Sequence, residues 1–372
     1  MHYIKNLLNN MKKFKVGVLG ATGMVGQNYI RLLENHPWFD VVYVAASANS
    51  AGVSYAESVK GRWQMHSPIP PNVSGLIVED VSNIDKAKEV CDFVFSAFEM
   101  PDKELVKETE KKYAEAGLPV VSNASANRWT EDVPMLLPEI NADHAEMIKI
   151  QQVNHGWEKG FIAVKPNCSI QSYLTPIYAL EQAGYEIEKI MITTMQAVSG
   201  AGYPGVPSLD MIDNIVPFIG GEEEKTEKEP LKILGKVVDG KFVNREGLKI
   251  SATCTRVPVT DGHTASVNIL FKDKKPSKEE ILTIWKNFKS VPQELELPFA
   301  PIQAIHYTEE ENRPQPKKDR DADKGMAVTV GRLRDCNVFD YKFVALSHNT
   351  VRGAAGGGIL NAELLVQKEF IV

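Results

Sequence analysis

Apolar positions along the chain fall into short β-favouring runs and into helical spacings, and the order of the two changes part-way. Residues 14–19 (FKVGVL) form one apolar run, and Gly20-Ala21-Thr22-Gly23-Met24-Val25-Gly26 follows at once. Residues 27–34 then continue at helical spacing, so this stretch reads as strand, glycine loop, helix. Residues 41–46, 92–97 and 118–122 read as further buried strands, with a charged helix predicted over 102–116. Strands alternating with helices imply a parallel sheet.

Beyond about residue 165 the texture shifts. Helices are predicted over 170–183 and 278–289, and long β-type runs over 188–197, 249–259 and 263–272. Thr260-Asp261-Gly262 joins the last two runs and predicts a hairpin. Residues 308–324, crowded with charge and proline, are expected to form an exposed arm. Residues 349–367 begin rich in glycine and continue as a helix. The fold class that follows is α/β: a Rossmann-type doubly wound parallel sheet over 11–167, completed by 349–372, and an α+β domain with a mainly antiparallel sheet over 168–348. Residues 1–10 are expected to be an extension without a role in the fold.

A chain of 372 residues suits two cores. The net charge of −6 leaves no basic surface, so nucleic acid is not expected as a partner. Cys91, Cys168, Cys254 and Cys336 form no CxxC pair, which argues against a disulfide framework or a metal site and fits a reducing cytoplasm. No apolar stretch approaches the ~20 residues of a membrane span, and the amino-terminal segment lacks the features of a signal peptide.

Two regions carry chemistry. Glycines at 20, 23 and 26 let the backbone turn tightly and approach a pyrophosphate, with helix N–H groups facing the anion. The spacing is GxxGxxG, a departure from GxGxxG, but it stands between strand and helix, where a dinucleotide loop belongs. After the second strand the chain has Ala46-Ser47-Ala48-Asn49-Ser50, with no carboxylate to repel a 2′-phosphate. Ser47 and Ser50 can donate to one, so NADP is favoured over NAD. The second region is Pro166-Asn167-Cys168-Ser169, where a cysteine at a helix start is placed to ionise. Arg256 and His263 flank the 260–262 turn and offer a carboxylate clamp and an acid/base.

These motifs occur in one order with Gln196-Ala197-Val198-Ser199-Gly200-Ala201-Gly202, Arg256-Val257-Pro258-Val259 and Asn349…Arg352-Gly353-Ala354-Ala355-Gly356. From about residue 13 onward the chain resembles the aspartate-β-semialdehyde dehydrogenase family, in its archaeal and fungal branch. The resemblance implies NADPH-dependent reduction of aspartyl 4-phosphate to the semialdehyde, a step of aspartate-family amino-acid biosynthesis, in a cytoplasmic homodimer or homotetramer. It implies Cys168 as the nucleophile that carries a thioester, His263 as acid/base and Gln196 as the group orienting the acyl intermediate. Arg256 would hold the substrate α-carboxylate, and Glu222 would lie near its amino group. Arg128, Asn167 and Lys225 would recognise phosphate. Gly20, Thr22, Gly23, Met24, Val25, Gly26, Ser47, Ser50, Asn349 and Gly353 would line the cofactor. Trp129 after Arg128 departs from the family's usual Arg-Met. An acyl-coenzyme A reductase of the same fold and a non-catalytic dinucleotide-binding sensor are the alternative readings.

Overall fold

A computed structural model describes residues 13–372; the expected extension over residues 1–10 lies outside them. The chain divides into two compact units. The first holds the residues up to 135 with Ala145–Lys165 and Asn361–Val372, and the second holds Leu136–His144 and Pro166–Leu360.

The first unit is built on β1 (Phe14–Leu19), β2 (Phe39–Ala46), β3 (Val78–Asp80), β4 (Phe93–Ser96), β5 (Val120–Ser122) and β6 (Ile162–Val164), in the order β3-β2-β1-β4-β5-β6 and all parallel. The central strands are continuous apolar runs because both faces of such a sheet are covered. Helix α1 (Met24–Leu32) follows β1. Helix α2 (Lys103–Glu115) starts where the Asp102 side chain accepts from the backbone of Glu104 and Leu105, and it buries Val106, Glu110, Tyr113 and Ala114 along one stripe. Strand order reverses between β1 and β4, and ligands of such sheets bind at the carboxyl ends there. The glycine loop leaves β1 at that point.

The second unit has helix α3 (Leu174–Gln182), β7 (Ile187–Gln196), helix α4 (Glu222–Ile233), the small pair β8 (Lys236–Val238) and β9 (Lys241–Val243), β10 (Lys249–Arg256), β11 (His263–Phe271), helix α5 (Lys278–Asn287), β12 (Ile305–Thr308), β13 (Val328–Asp335) and β14 (Tyr341–Ser347). Its main sheet runs β10-β7-β11-β14-β13-β12. The three central pairings are antiparallel and the two outer ones parallel. Burial alternates along β7, with Ile190, Ile192, Thr194 and Gln196 inward and Met191 and Thr193 exposed.

Three expectations are corrected here. Strands β10 and β11 do not form a hairpin: β7 lies between them, paired to each. After Arg256 the chain crosses the end of β7, held by Val257 N–H to Gln196 O, Val198 N–H to Val259 O and Ser199 N–H to Thr260 O. The 308–324 arm is only partly exposed, at residues 317, 318, 321 and 324 and over 309–312. Beyond them Arg313 grips the buried Asp319 with Nε at 2.9 Å, and Arg320 Nη1 donates to Asp261 O. Residues 349–360, expected with the first domain, belong to the second unit. The buried Arg352 holds them there through Glu139 Oε1 at 2.6 Å and the carbonyl of Met326 at 2.8 Å. Helix α6 (Gly356–Gln367) follows, and its residues from Asn361 onward belong to the first unit.

Candidate active site

In the first unit the glycine loop has a backbone that side chains would spoil. Gly20 has φ +73°, and a Cβ there would meet Ala97 O at 2.5 Å; a Cβ on Gly26 would meet Gly20 O at 2.2 Å. Gly23 is exposed, with only Gly20 O at 3.5 Å from such a Cβ, and as the N-cap of α1 it makes no side-chain cap. The first turn of α1 is thus left to an outside acceptor. Ser47 is exposed at the end of β2, and Ser50 closes a short turn after it.

Arg128 belongs to the same unit. It is buried, with Nε donating to Lys165 O at 3.1 Å and Nη2 to Asn123 O at 3.4 Å. Its loop is anchored by Glu110, whose carboxyl accepts from Ser96, Ser122 and Asn127. Burial raises the pKa of that carboxyl.

In the second unit the inward ends of β10, β7 and β11 carry Arg256, Gln196 and His263. Arg256 is in register with Gln196, and His263 pairs with Ser347 of β14. Half-buried Cys168 stands at the N-cap of a 3-10 turn, Ser169–Ser172, which rests on β11, and its Sγ lies 3.4 Å from His263 Nε2. His263 Nδ1 accepts the Ala197 backbone N–H at 3.0 Å, and Arg256 Nη1 donates to Ala197 O at 2.8 Å. Burial, and after it the charges of Arg256 and His348, lowers the His263 pKa to about 3, so the ring is neutral at ordinary pH. Burial also lowers the pKa of Arg256.

Helix α4 buttresses the cysteine turn through residues on one face. Glu222 Oε1 accepts from Asn167 Nδ2 at 2.9 Å and from Gln196 Nε2 at 3.2 Å. Lys225 Nζ reaches Glu222 Oε2 at 3.4 Å. One turn on, Thr226 shares a hydrogen bond with Ser169 at 3.1 Å, and Glu229 Oε2 accepts the Asn167 backbone N–H at 2.6 Å. Glu223 and Glu227 accept the N–H groups of Cys254 and Ala252 along the sheet edge. The site can therefore present a nucleophilic sulfur, a neutral imidazole, a guanidinium and a carboxylate within one unit.

Comparison with known proteins gives this arrangement a family. Residues 15–148 match the semialdehyde dehydrogenase NAD binding domain, and residues 175–352 match the semialdehyde dehydrogenase dimerisation domain. The aspartate-semialdehyde dehydrogenase of Archaeoglobus fulgidus is 45% identical over 361 residues, which cover 96% of this chain and 100% of that protein. The chain belongs to the aspartate-semialdehyde dehydrogenase family. Its relative from Schizosaccharomyces pombe is 44% identical over 359 residues, 95% of this chain and 98% of that one. The crystal structure of the Candida albicans aspartate-semialdehyde dehydrogenase with NADP superposes with a TM-score of 0.87 at 38% identity, covering 97% of this chain and 100% of that chain.

Of the residues singled out from sequence, Cys168, His263, Gln196, Arg256, Glu222, Asn167 and Lys225 lie together in the dimerisation-domain unit, while Arg128 and the glycine loop lie in the NAD-binding unit. Gly353 packs on Cys168: a Cβ there would lie 2.9 Å from Cys168 Cβ. Asn349 is buried, accepting Gly262 N–H and donating to Ser199 Oγ, both at 2.8 Å. Sequence reasoning missed Glu229, Thr226, Gly200 and the Ala197 N–H. The helical spacing of Glu222, Thr226 and Glu229 was available as a signal; a backbone N–H aimed at an imidazole leaves none.

Proposed function

We propose that this chain reduces L-aspartyl 4-phosphate to L-aspartate 4-semialdehyde with NADPH, through a thioester on Cys168. The observation that carries the reading is the 3.4 Å approach of Cys168 Sγ to His263 Nε2 beside the buried guanidinium of Arg256. The names of the relatives and the NADP in the Candida albicans structure support the substrate and the cofactor. The glycine cradle and the absence of a carboxylate over Ser47–Ser50 fit a phosphorylated dinucleotide. When bound, that cofactor supplies hydride.

Cys168 attacks the acyl carbon, phosphate leaves, and the covalent step divides one hard substitution into two easier ones. Arg256 takes the substrate carboxylate and Glu222 its ammonium group, while Asn167, Lys225 and Arg128 take phosphate. Gln196 orients the acyl group, and His263 serves its carbonyl oxygen. Thr22, Met24 and Val25 complete the cofactor loop, and Asn349 and Gly353 border the reacting end. The first unit serves as the cofactor domain and the second as the catalytic and oligomerisation domain.

A homodimer or homotetramer is the expected assembly. Exposed apolar residues Leu209, Ile212, Ile215 and Phe218 offer a surface for it. Among the described residues no helix is long and apolar enough to cross a membrane. The cytoplasm is the expected location, since the four cysteines include no close pair and the substrate and cofactor are metabolites.

The deciding assay supplies aspartate semialdehyde, phosphate and NADP together, with each omitted in turn. NADP reduction should require all three and vanish in Cys168→Ala. Turnover on an acyl-coenzyme A but not on the semialdehyde would overturn the substrate assignment, and a clear preference for NADH the cofactor.

A further inference from the structure

Glu110 lies on the buried stripe of α2, fully enclosed, as are Ser96 and Ser122 at the carboxyl ends of β4 and β5. Its Oε1 accepts the Ser96 hydroxyl at 2.7 Å and the Ser122 hydroxyl at 2.5 Å, and its Oε2 accepts Asn127 Nδ2 at 2.7 Å. Val106, Tyr113 and Ala114 give the same stripe its apolar packing. A carboxyl among them has to be desolvated, and packing a helix on a sheet does not require one. A satisfied buried polar cluster does what apolar packing cannot: it admits one geometry.

That geometry reaches Arg128 by two routes, both inside the first unit. One runs through Ser122. Its carbonyl accepts the Lys165 N–H at 2.8 Å, and the Lys165 carbonyl accepts Arg128 Nε at 3.1 Å. Its Oγ accepts the Ala124 N–H at 3.0 Å, at the start of the loop that leads to Arg128. The other route is Asn127, next to Arg128 in the chain. Its Nδ2 is held by Glu110 and its Oδ1 accepts the Thr130 hydroxyl at 2.9 Å, so the amide cannot turn over without losing both bonds. Arg128 Nη2 donates to Asn123 O at 3.4 Å, and Asn123 Oδ1 accepts the Tyr29 hydroxyl of α1 at 2.9 Å.

We propose that Glu110 is a positioning residue for phosphate recognition, acting through Asn127 and Ser122 to aim the Arg128 guanidinium. This deepens the reading above, in which Arg128 takes phosphate, and rests on it. A guanidinium is a planar fork that meets a phosphate through paired N–H bonds, so its worth depends on the direction of its plane. Letting the 123–128 loop shift would tilt that plane and weaken phosphate binding. The groups that take the carboxylate and ammonium of the semialdehyde, Arg256 and Glu222, belong to the second unit and share no bond with this cluster.

The test is steady-state oxidation of aspartate semialdehyde with NADP by the full-length enzyme, with phosphate varied. Asn127→Ala cuts the tie to the loop and leaves both serine bonds in place. It should raise KM for phosphate by ~10-fold or more while KM for the semialdehyde stays within about twofold. Glu110→Leu should do the same where it folds. Glu110→Gln should behave as the parent, because Gln can accept from Asn127 while its Nε2 donates to the serine hydroxyls, which can reverse. In an Arg128→Gln background, Asn127→Ala should add nothing, since its effect passes through the guanidinium. An unchanged phosphate KM in Asn127→Ala, or a full further rise in the Arg128→Gln background, would overturn the proposal. A merely structural role would lower the melting temperature and leave phosphate KM where it was. If Arg128→Gln alone leaves phosphate KM unchanged, the assignment of Arg128 to phosphate fails, and the positioning role with it.

Discussion

Asn349 Oδ1 accepts the backbone N–H of Gly262 at 2.8 Å, tying the residue before His263 to a segment far along the chain. Its amide nitrogen holds Ser199 Oγ, so one side chain joins the turn after β7 to the turn before β11. These turns carry the Ala197 N–H and the His263 ring. Asn349→Ala should leave a buried N–H unpaired and cost about 1–3 kcal/mol of stability. Because the ring would lose its fixed position, turnover should fall by ~10–100-fold. Thermal melting and kcat, measured on the same preparation, check both. Unchanged kcat would show that the turn keeps its place without the clamp.

Arg352 and Glu139 form a fully buried ion pair in the second unit, and Arg352 also binds the Met326 carbonyl and Thr175 Oγ1. Removing one partner strands the other charge. Arg352→Met alone should destabilise by about 3–5 kcal/mol, and the double variant with Glu139→Leu by less. Denaturant midpoints of the three proteins decide it.

How much of this was legible in the sequence depended on what each feature is made of. The β1–glycine–α1 run could be read because its strand is continuous and its glycines meet a backbone requirement that only they satisfy. Strands β3 and β6, of three residues each, are too short to show a period. The expected hairpin at Thr260–Gly262 failed because local turn chemistry says nothing about a third strand inserted between the two arms. Cys168, His263 and Arg256 were singled out through motif order, whereas their geometry depends on the backbone of Ala197 and on carboxylates of α4 that look like a solvated charge run.

Gly200 sits against the other side of the pair. A Cβ there would lie 2.9 Å from Arg256 Nη1 and 3.2 Å from His263 Cε1. Gly200→Ala should therefore crowd the guanidinium and raise KM for the semialdehyde by ~10-fold or more, with a smaller change in kcat. Steady-state kinetics with varied semialdehyde separate the two. A fall in kcat with KM unchanged would place the methyl group's effect on the transition state alone.

The buried His263 also makes stability depend on pH in a definite direction. Its pKa is lowered from 6.5 to about 3 in the folded chain, first by burial and then by Arg256. Below pH 6.5 the unfolded chain binds the proton and the folded chain does not, so stability rises with pH across the window. The contribution is complete above about pH 6.5 and is lost as pH falls toward about 3. Its slope is about 1.4 kcal/mol per pH unit at most, since one proton is involved. His263→Asn has no such proton to bind, so its stability should fall less steeply between about pH 6 and about pH 4. Urea unfolding of parent and variant at matched concentration across that range measures the difference in slope. Parallel curves would mean that the ring accepts a proton in the folded protein as readily as in the unfolded one.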